Sequence, residues 1–162
     1  MIRYAPLFAL LVGCTIDPVT NTPQSTAAWL GEADTYVQYG QADNPDASPW
    51  LIFKIEVDTW TIREGEDWTT GTELASLEID NTEGLIVGGD RLLPADTELG
   101  ASEDGVEVVA VEDTEVYYGE FLDALHVEVD SGRFAGAQVF GQNFGLISTT
   151  FDGQTWELVY YE

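Results

Sequence analysis

Chemistry in this sequence could come from one thiol, one imidazole and a large excess of carboxylates. Cys14, the only cysteine, ends the stretch MIRYAPLFALLVGC, in which Arg3 precedes a nearly continuous apolar run over residues 4–12. A positive charge, an apolar segment and a small residue before the cut make the layout of a secretory signal. As the only cysteine, Cys14 can form no disulfide within the chain, and the clustered thiolates and imidazoles that hold zinc are lacking. His126 is the only imidazole. Strand alternation sets it on one face with Ala124 and Glu128, so a base oriented by Glu128 is the one nucleophile-activating arrangement on offer. No G-x-S-x-G elbow accompanies it, and an ordinary strand histidine is the expected reading.

The carboxylates allow two further chemistries. Asp43, Asn44 and Asp46, and the turn Asp80, Asn81 and Glu83, offer oxygens to calcium, which takes about six to eight. Neither run matches the D-x-[DN]-x-[DN]-G loop, and Asx residues in turns ordinarily bond their own backbone. Asp43, Asn44 and Asp46 therefore stand as weak calcium candidates, and no metal ligand is assigned. Glycoside hydrolysis needs two carboxyls about 5–10 Å apart, a condition that thirty acids would meet by chance. Gly88-Gly89 and residues 141–145 lack the lysine and following helix of a phosphate cradle. No catalytic residue and no cofactor are expected.

Thirty Asp and Glu stand against five Lys and Arg, for a net charge of −25. Nucleic-acid binding depends on Lys and Arg neutralising phosphates, so no nucleic-acid partner is expected. Anionic lipid headgroups are repelled for the same reason. The acids are spread along the whole chain, which favours adaptation to a salty medium over a dedicated cation site. Five Trp, seven Tyr and seven Phe argue against the disorder that such charge otherwise brings.

The elements that must position these groups read as strands. Residues 15–26 are polar, with two prolines, and read as a flexible tether. From residue 27 onward, short aromatic and β-branched runs alternate with turn residues. Trp29 and Leu30 read as part of the first short run, followed by residues 35–39. Residues 50–63 give the longest strand signal, with a phase flip near Thr59 that predicts a bulge or bend. Further runs fall at residues 74–79, 85–87, 106–111, 116–118, 121–129, 134–140, 144–151 and 155–161. Asp152-Gly153 marks a tight hairpin. With roughly nine to eleven strands and no sustained helical spacing, the class is all-β: a curved antiparallel sheet or half-barrel of up-and-down hairpins, with a β-sandwich as the alternative. Residues 27–162 make one acidic domain.

Leu11-Val12-Gly13-Cys14 resembles the lipobox of bacterial lipoproteins. The resemblance implies that residues 1–13 are a signal peptide, that Cys14 is lipidated and becomes the new N-terminus, and that the chain is anchored to a membrane of the cell envelope. Thr15 after the cysteine leans toward the outer membrane. A second resemblance, over about half the chain, is to uncharacterised secreted or lipid-anchored bacterial β-sheet proteins. It is carried by Gly88-Gly89-Asp90-Arg91-Leu92-Leu93-Pro94, by residues 116–121 with Leu125-His126-Val127-Glu128-Val129, and by residues 139–147 with Trp156-Glu157-Leu158-Val159. Tyr117-Tyr118-Gly119-Glu120 and Gln142-Asn143 depart from that family's usual turn residues, which bears on turn geometry and not on topology. The resemblance implies a curved antiparallel sheet and supplies no catalytic residues.

The expected function is a non-enzymatic envelope lipoprotein, a binding or structural module whose partner is a protein or a hydrophobic ligand. One alternative is a carrier holding an acyl chain or lipoprotein inside a half-open barrel. A second is a carboxylate-based hydrolase.

Overall fold

Each run of alternating apolar and polar residues becomes a strand, and each strand turns back to pair with the next. The computed structural model describes residues 26–162. After a 3-10 turn at Thr26–Trp29, the chain runs through β1 (Thr35–Gln41), β2 (Trp50–Ile55), β3 (Thr59–Gly65), β4 (Thr72–Asp80), β5 (Leu85–Val87) and β6 (Asp90–Leu93). The second half adds β7 (Ser102–Glu103), β8 (Val106–Val116), β9 (Gly119–Val129), β10 (Gly136–Gly141), β11 (Gly145–Phe151) and β12 (Gln154–Tyr161).

These strands form one open antiparallel sheet of twelve, in the order β6-β5-β4-β3-β2-β1-β12-β11-β10-β9-β8-β7. The fold is all-β and curved, a single sheet and not two. Its first and last strands are joined by a ladder, with Val37 opposite Tyr161 and Gly40 opposite Glu157. The free edges fall instead in the middle of the chain, at β6 and β7. Curling brings those edges together, with β6 alongside β8 and β9. Arg91 at the β6 edge donates through Nε and Nη2 to Asp104 Oδ2, each at 3.2 Å, and Asp90 Oδ2 accepts the Arg133 backbone N–H at 3.0 Å. Side chains thus hold a seam that carries no strand ladder.

The inner face is filled. Tyr39, Phe53, Phe134 and Phe140 are fully buried, and their rings meet at tilted angles, Tyr39–Phe53 at 5.0 Å and Phe134–Phe151 at 5.1 Å. Tyr39 donates its hydroxyl to Leu146 O at 2.8 Å, and burial pushes its pKa upward. Gln138 and Thr149 are the polar pair opposed across β10 and β11, and both are fully buried.

Four sequence expectations need correction. Residues 50–63 are two strands: Glu56 N–H donates to Thr59 O at 2.9 Å, closing a reversal where the apolar phase flips. Trp29 is buried, and it ends a 3-10 turn rather than belonging to a strand. β6 was not anticipated, because Gly88-Gly89 reads as the end of a run. The polar residues 112–115 do not break β8, which continues to Val116.

Candidate functional site

Cys14 and the residues Leu11, Val12 and Gly13 before it lie outside the described residues. The calcium candidates lie in the loop between β1 and β2. There Asn44 N–H donates to Gln41 O at 2.9 Å, and Asn44 O accepts the Ala47 N–H at 3.1 Å. Asp46 is engaged by the Tyr117 hydroxyl, which raises the pKa of that tyrosine. In the second acidic turn, Asp80 Oδ1 accepts Thr82 N–H at 3.0 Å and Thr82 Oγ1 at 2.7 Å, and these bonds hold its pKa below the usual carboxylate range. The Asp80 turn therefore bonds its own backbone as Asx turns do, while the Asp46 carboxylate is taken by Tyr117 from the tip between β8 and β9. Among the described residues, no group of three or more His, Cys, Asp or Glu is placed to share a metal ion.

His126 sits on β9 and meets β8, not Glu128. Its Nε2 lies 2.6 Å from Thr114 Oγ1 and 3.9 Å from Glu112 Oε1. A hydroxyl beside an imidazole is the start of a nucleophile–base pair, but the third group must orient the opposite ring nitrogen. Here Glu112 approaches the same nitrogen as the threonine. Thr114 Oγ1 also lies 3.2 Å from Glu112 O. The three residues form a cross-strand polar knot around the two irregularities in β8, between Val108 and Ala110 and between Glu112 and Thr114.

The exposed chemistry is concentrated on the hairpin that carries this knot. β7 pairs with β8 only at Glu107 and Val106, and Val108 completes the contact by bonding Gly100 and Ala101. β9 pairs with β10 only from Leu125 to Val129. The outer half of the hairpin is therefore a two-stranded ribbon. Val109, Val111 and Leu122 on it are 43%, 39% and 66% exposed. Glu107 stands directly opposite Glu128, and Glu115 directly opposite Glu120. Like charges in those positions destabilise a strand pair.

The ribbon tip bends back over the end of the core. Tyr118 N–H donates to Leu158 O at 3.0 Å. Phe121 packs edge-on against Phe144 at 5.1 Å and is stacked by Tyr118 at 6.4 Å. A Cβ at Gly141 would come within 2.7 Å of the Phe121 ring, so glycine there lets the tip seat. Tyr117, Tyr118 and Tyr160 remain half exposed around it.

Sequence reasoning missed this ribbon because residues 112–115 look like a turn. No local signal marks it: the stretch without Lys or Arg between Arg91 and Arg133 is matched by residues 4–53.

Two surface clefts are smaller features. One, of about 170 Å³, is lined by Leu30, Ile55, Val57, Trp60, Ile79 and Leu85 among others. The other, of about 150 Å³, lies on the seam between Arg91, Asp104 and Ser131. No protein-family model, curated protein or solved structure matches the chain.

Proposed function

We propose that this chain is a non-enzymatic module of the bacterial cell envelope, tethered through lipid on Cys14, that engages a partner on the outside of its β shell. The tether rests on the lipobox-like residues Leu11-Val12-Gly13-Cys14, and Thr15 leans toward the outer membrane. The observation that supports a binding role is the division between a filled inside and a chemically distinctive outside. Tyr39, Phe53, Phe134 and Phe140 occupy the interior, whereas the ribbon of β8 and β9 turns valines, tyrosines and unpaired carboxylates outward. A carrier holding an acyl chain inside the sheet needs a cavity of about 300 Å³ or more. The clefts at 150 and 170 Å³ fall short of that.

Feeding cells a radioactive fatty acid tests the tether. The wild-type chain should take up label and Cys14→Ser should not. Equal label in both would overturn the reading.

A further inference from the structure

We propose that the free edge of β8, from Val109 to Glu115, docks an extended basic segment of another polypeptide, which adds as a strand outside β8. The inference rests on reading the chain as a partner-binding module, and it names the face and the partner's chemistry. Three observations converge on this edge.

The backbone is available. Beyond Val108, β8 has β9 on one side and no paired strand on the other. An unpaired edge presents a row of N–H and C=O groups that templates pairing with a further chain. A partner of seven residues, extended by about 3.3 Å per residue, would cover it.

The side chains are apolar where an added strand would sit and acidic around it. Val109 and Val111 are exposed. Glu107, Glu112, Asp113 and Glu115 on β8, with Glu120 and Asp123 on β9, are exposed as well. None of these six forms an ion pair with Lys or Arg. The single cationic option nearby is His126, 3.9 Å from Glu112.

The arrangement is unfavourable in the free protein. A like-charge pair faces across the ribbon, Glu115–Glu120, with a second, Glu107–Glu128, just before it where β7 and β10 still pair, and each weakens the hairpin. A segment alternating Lys or Arg with apolar residues along Val109 to Glu115 relieves the Glu115–Glu120 pair and covers the valines. A second copy of this chain would instead bring six more carboxylates to the same edge, so self-pairing is opposed.

The test uses the full mature chain in detergent micelles and a blocked heptapeptide of alternating Lys and Val. Calorimetry should detect binding, and amide hydrogen exchange should slow at residues 109–115. N-methylating alternate peptide residues, in each of the two phases, removes the N–H groups needed for a ladder. One phase should weaken binding by about tenfold or more, a loss of 1.4 kcal/mol per decade. Glu115→Gln/Glu120→Gln should weaken the parent peptide about three- to tenfold, in the range of two exposed ion pairs. That variant should melt no lower than wild type, because it removes a repulsion. Glu78→Gln on β4 should bind as wild type does.

Equal binding by both methylated peptides would show charge adsorption without strand addition and overturn the proposal. So would protection at β6, unchanged binding by Glu115→Gln/Glu120→Gln, or no binding at all. The fatty-acid label on Cys14 is read separately, so loss of this site and loss of the tether are distinguishable results.

Discussion

The buried amide of Gln138 should make a one-atom change in its partner costly. Gln138 on β10 faces Thr149 on β11 directly, with both side chains out of contact with solvent. Thr149 Oγ1 donates to Gln138 Oε1 at 2.6 Å, and Gln138 Nε2 donates to Phe134 O at 2.7 Å and to Thr150 O at 2.9 Å. Thr149→Val keeps the shape and removes the hydroxyl, so the amide oxygen is left without its donor in an apolar interior. Such an orphaned group costs about 1–3 kcal/mol. With a urea slope of about 2 kcal/mol per M, the midpoint should fall by about 0.5–1.5 M at an unchanged slope. Gln138→Leu removes the amide donor from Phe134 O and Thr150 O and should cost a similar amount. In the double variant the orphaned amide is gone, so the two costs should fall short of their sum by about 1–2 kcal/mol. A Thr149→Val midpoint within about 0.2 M of wild type, or strictly additive costs, would refute the claim that this amide is satisfied from within the core.

Three other outcomes follow from the same geometry. Asp67 accepts Thr69 N–H at 2.7 Å, Thr69 Oγ1 at 2.6 Å and Thr70 N–H at 2.8 Å, which holds its pKa down to about 2. Because the folded value lies below the unfolded one, the stabilisation is complete above about pH 4 and disappears toward about pH 2; the stability gap between wild type and Asp67→Asn, followed by denaturation at stepped pH, should close over that window. Arg91 reaches Glu83 O at 2.6 Å, Glu103 at 3.2 Å and Asp104 at 3.2 Å, so Arg91→Lys, with one compact ammonium, should destabilise by about 1 kcal/mol and speed amide exchange at Gly105 and Arg133 before that at β1 and β12. Added salt should raise the melting temperature equally for sodium and potassium, as screening of a net charge of −25 requires; a large extra gain from micromolar calcium would point to a dedicated ion site instead.

The strand positions were legible because an inward face must be apolar at every second residue. Leu51, Phe53 and Ile55, and then Trp60 and Ile62, are buried as their alternation requires. Where both faces of a strand meet solvent, that rule has no purchase. Glu112, Asp113 and Glu115 are exposed within β8, so nothing in their pattern distinguishes strand from turn, and the candidate site lies there. Histidine pairing was illegible for another reason. The alternation that set His126 with Glu128 holds along one strand, whereas its actual contact with Thr114 runs across strands and depends on two irregularities in β8. The ladder between β1 and β12 joins residues more than a hundred positions apart, and no local pattern announces it.

The scarcity of positive charge shows how a sheet this acidic is held where its ladder fails. The described residues include four basic side chains, Lys54, Arg63, Arg91 and Arg133, and every one lies beside a carboxylate. The three arginines also each donate to a backbone carbonyl: Arg63 to Trp68 O, Arg91 to Glu83 O and Arg133 to Leu74 O. Trp68 and Glu83 lie in connections, the latter next to the shift between Leu85 and Ile86, and Leu74 lies within β4 at the shift opposite Ile62 and Arg63, where the turn before β10 crosses. A guanidinium has five donors in a fixed fork, enough to take a carboxylate and a carbonyl together, which an ammonium on a flexible stem does less well. Arginine is therefore spent where the backbone cannot satisfy itself, and two of the three close the seam side of the sheet. Nothing comparable is placed on the β8–β9 ribbon, where the carboxylates stand opposed to one another. The β8–β9 hairpin, without a Lys or Arg, instead sets carboxylates that no Lys or Arg pairs beside a strand edge that carries no ladder. Among the strand pairs of the described residues, carboxylates stand directly opposite one another only between β8 and β9, at Glu107–Glu128 and Glu115–Glu120, and that opposition separates this hairpin from a generally acidic surface, on which charges are spaced apart.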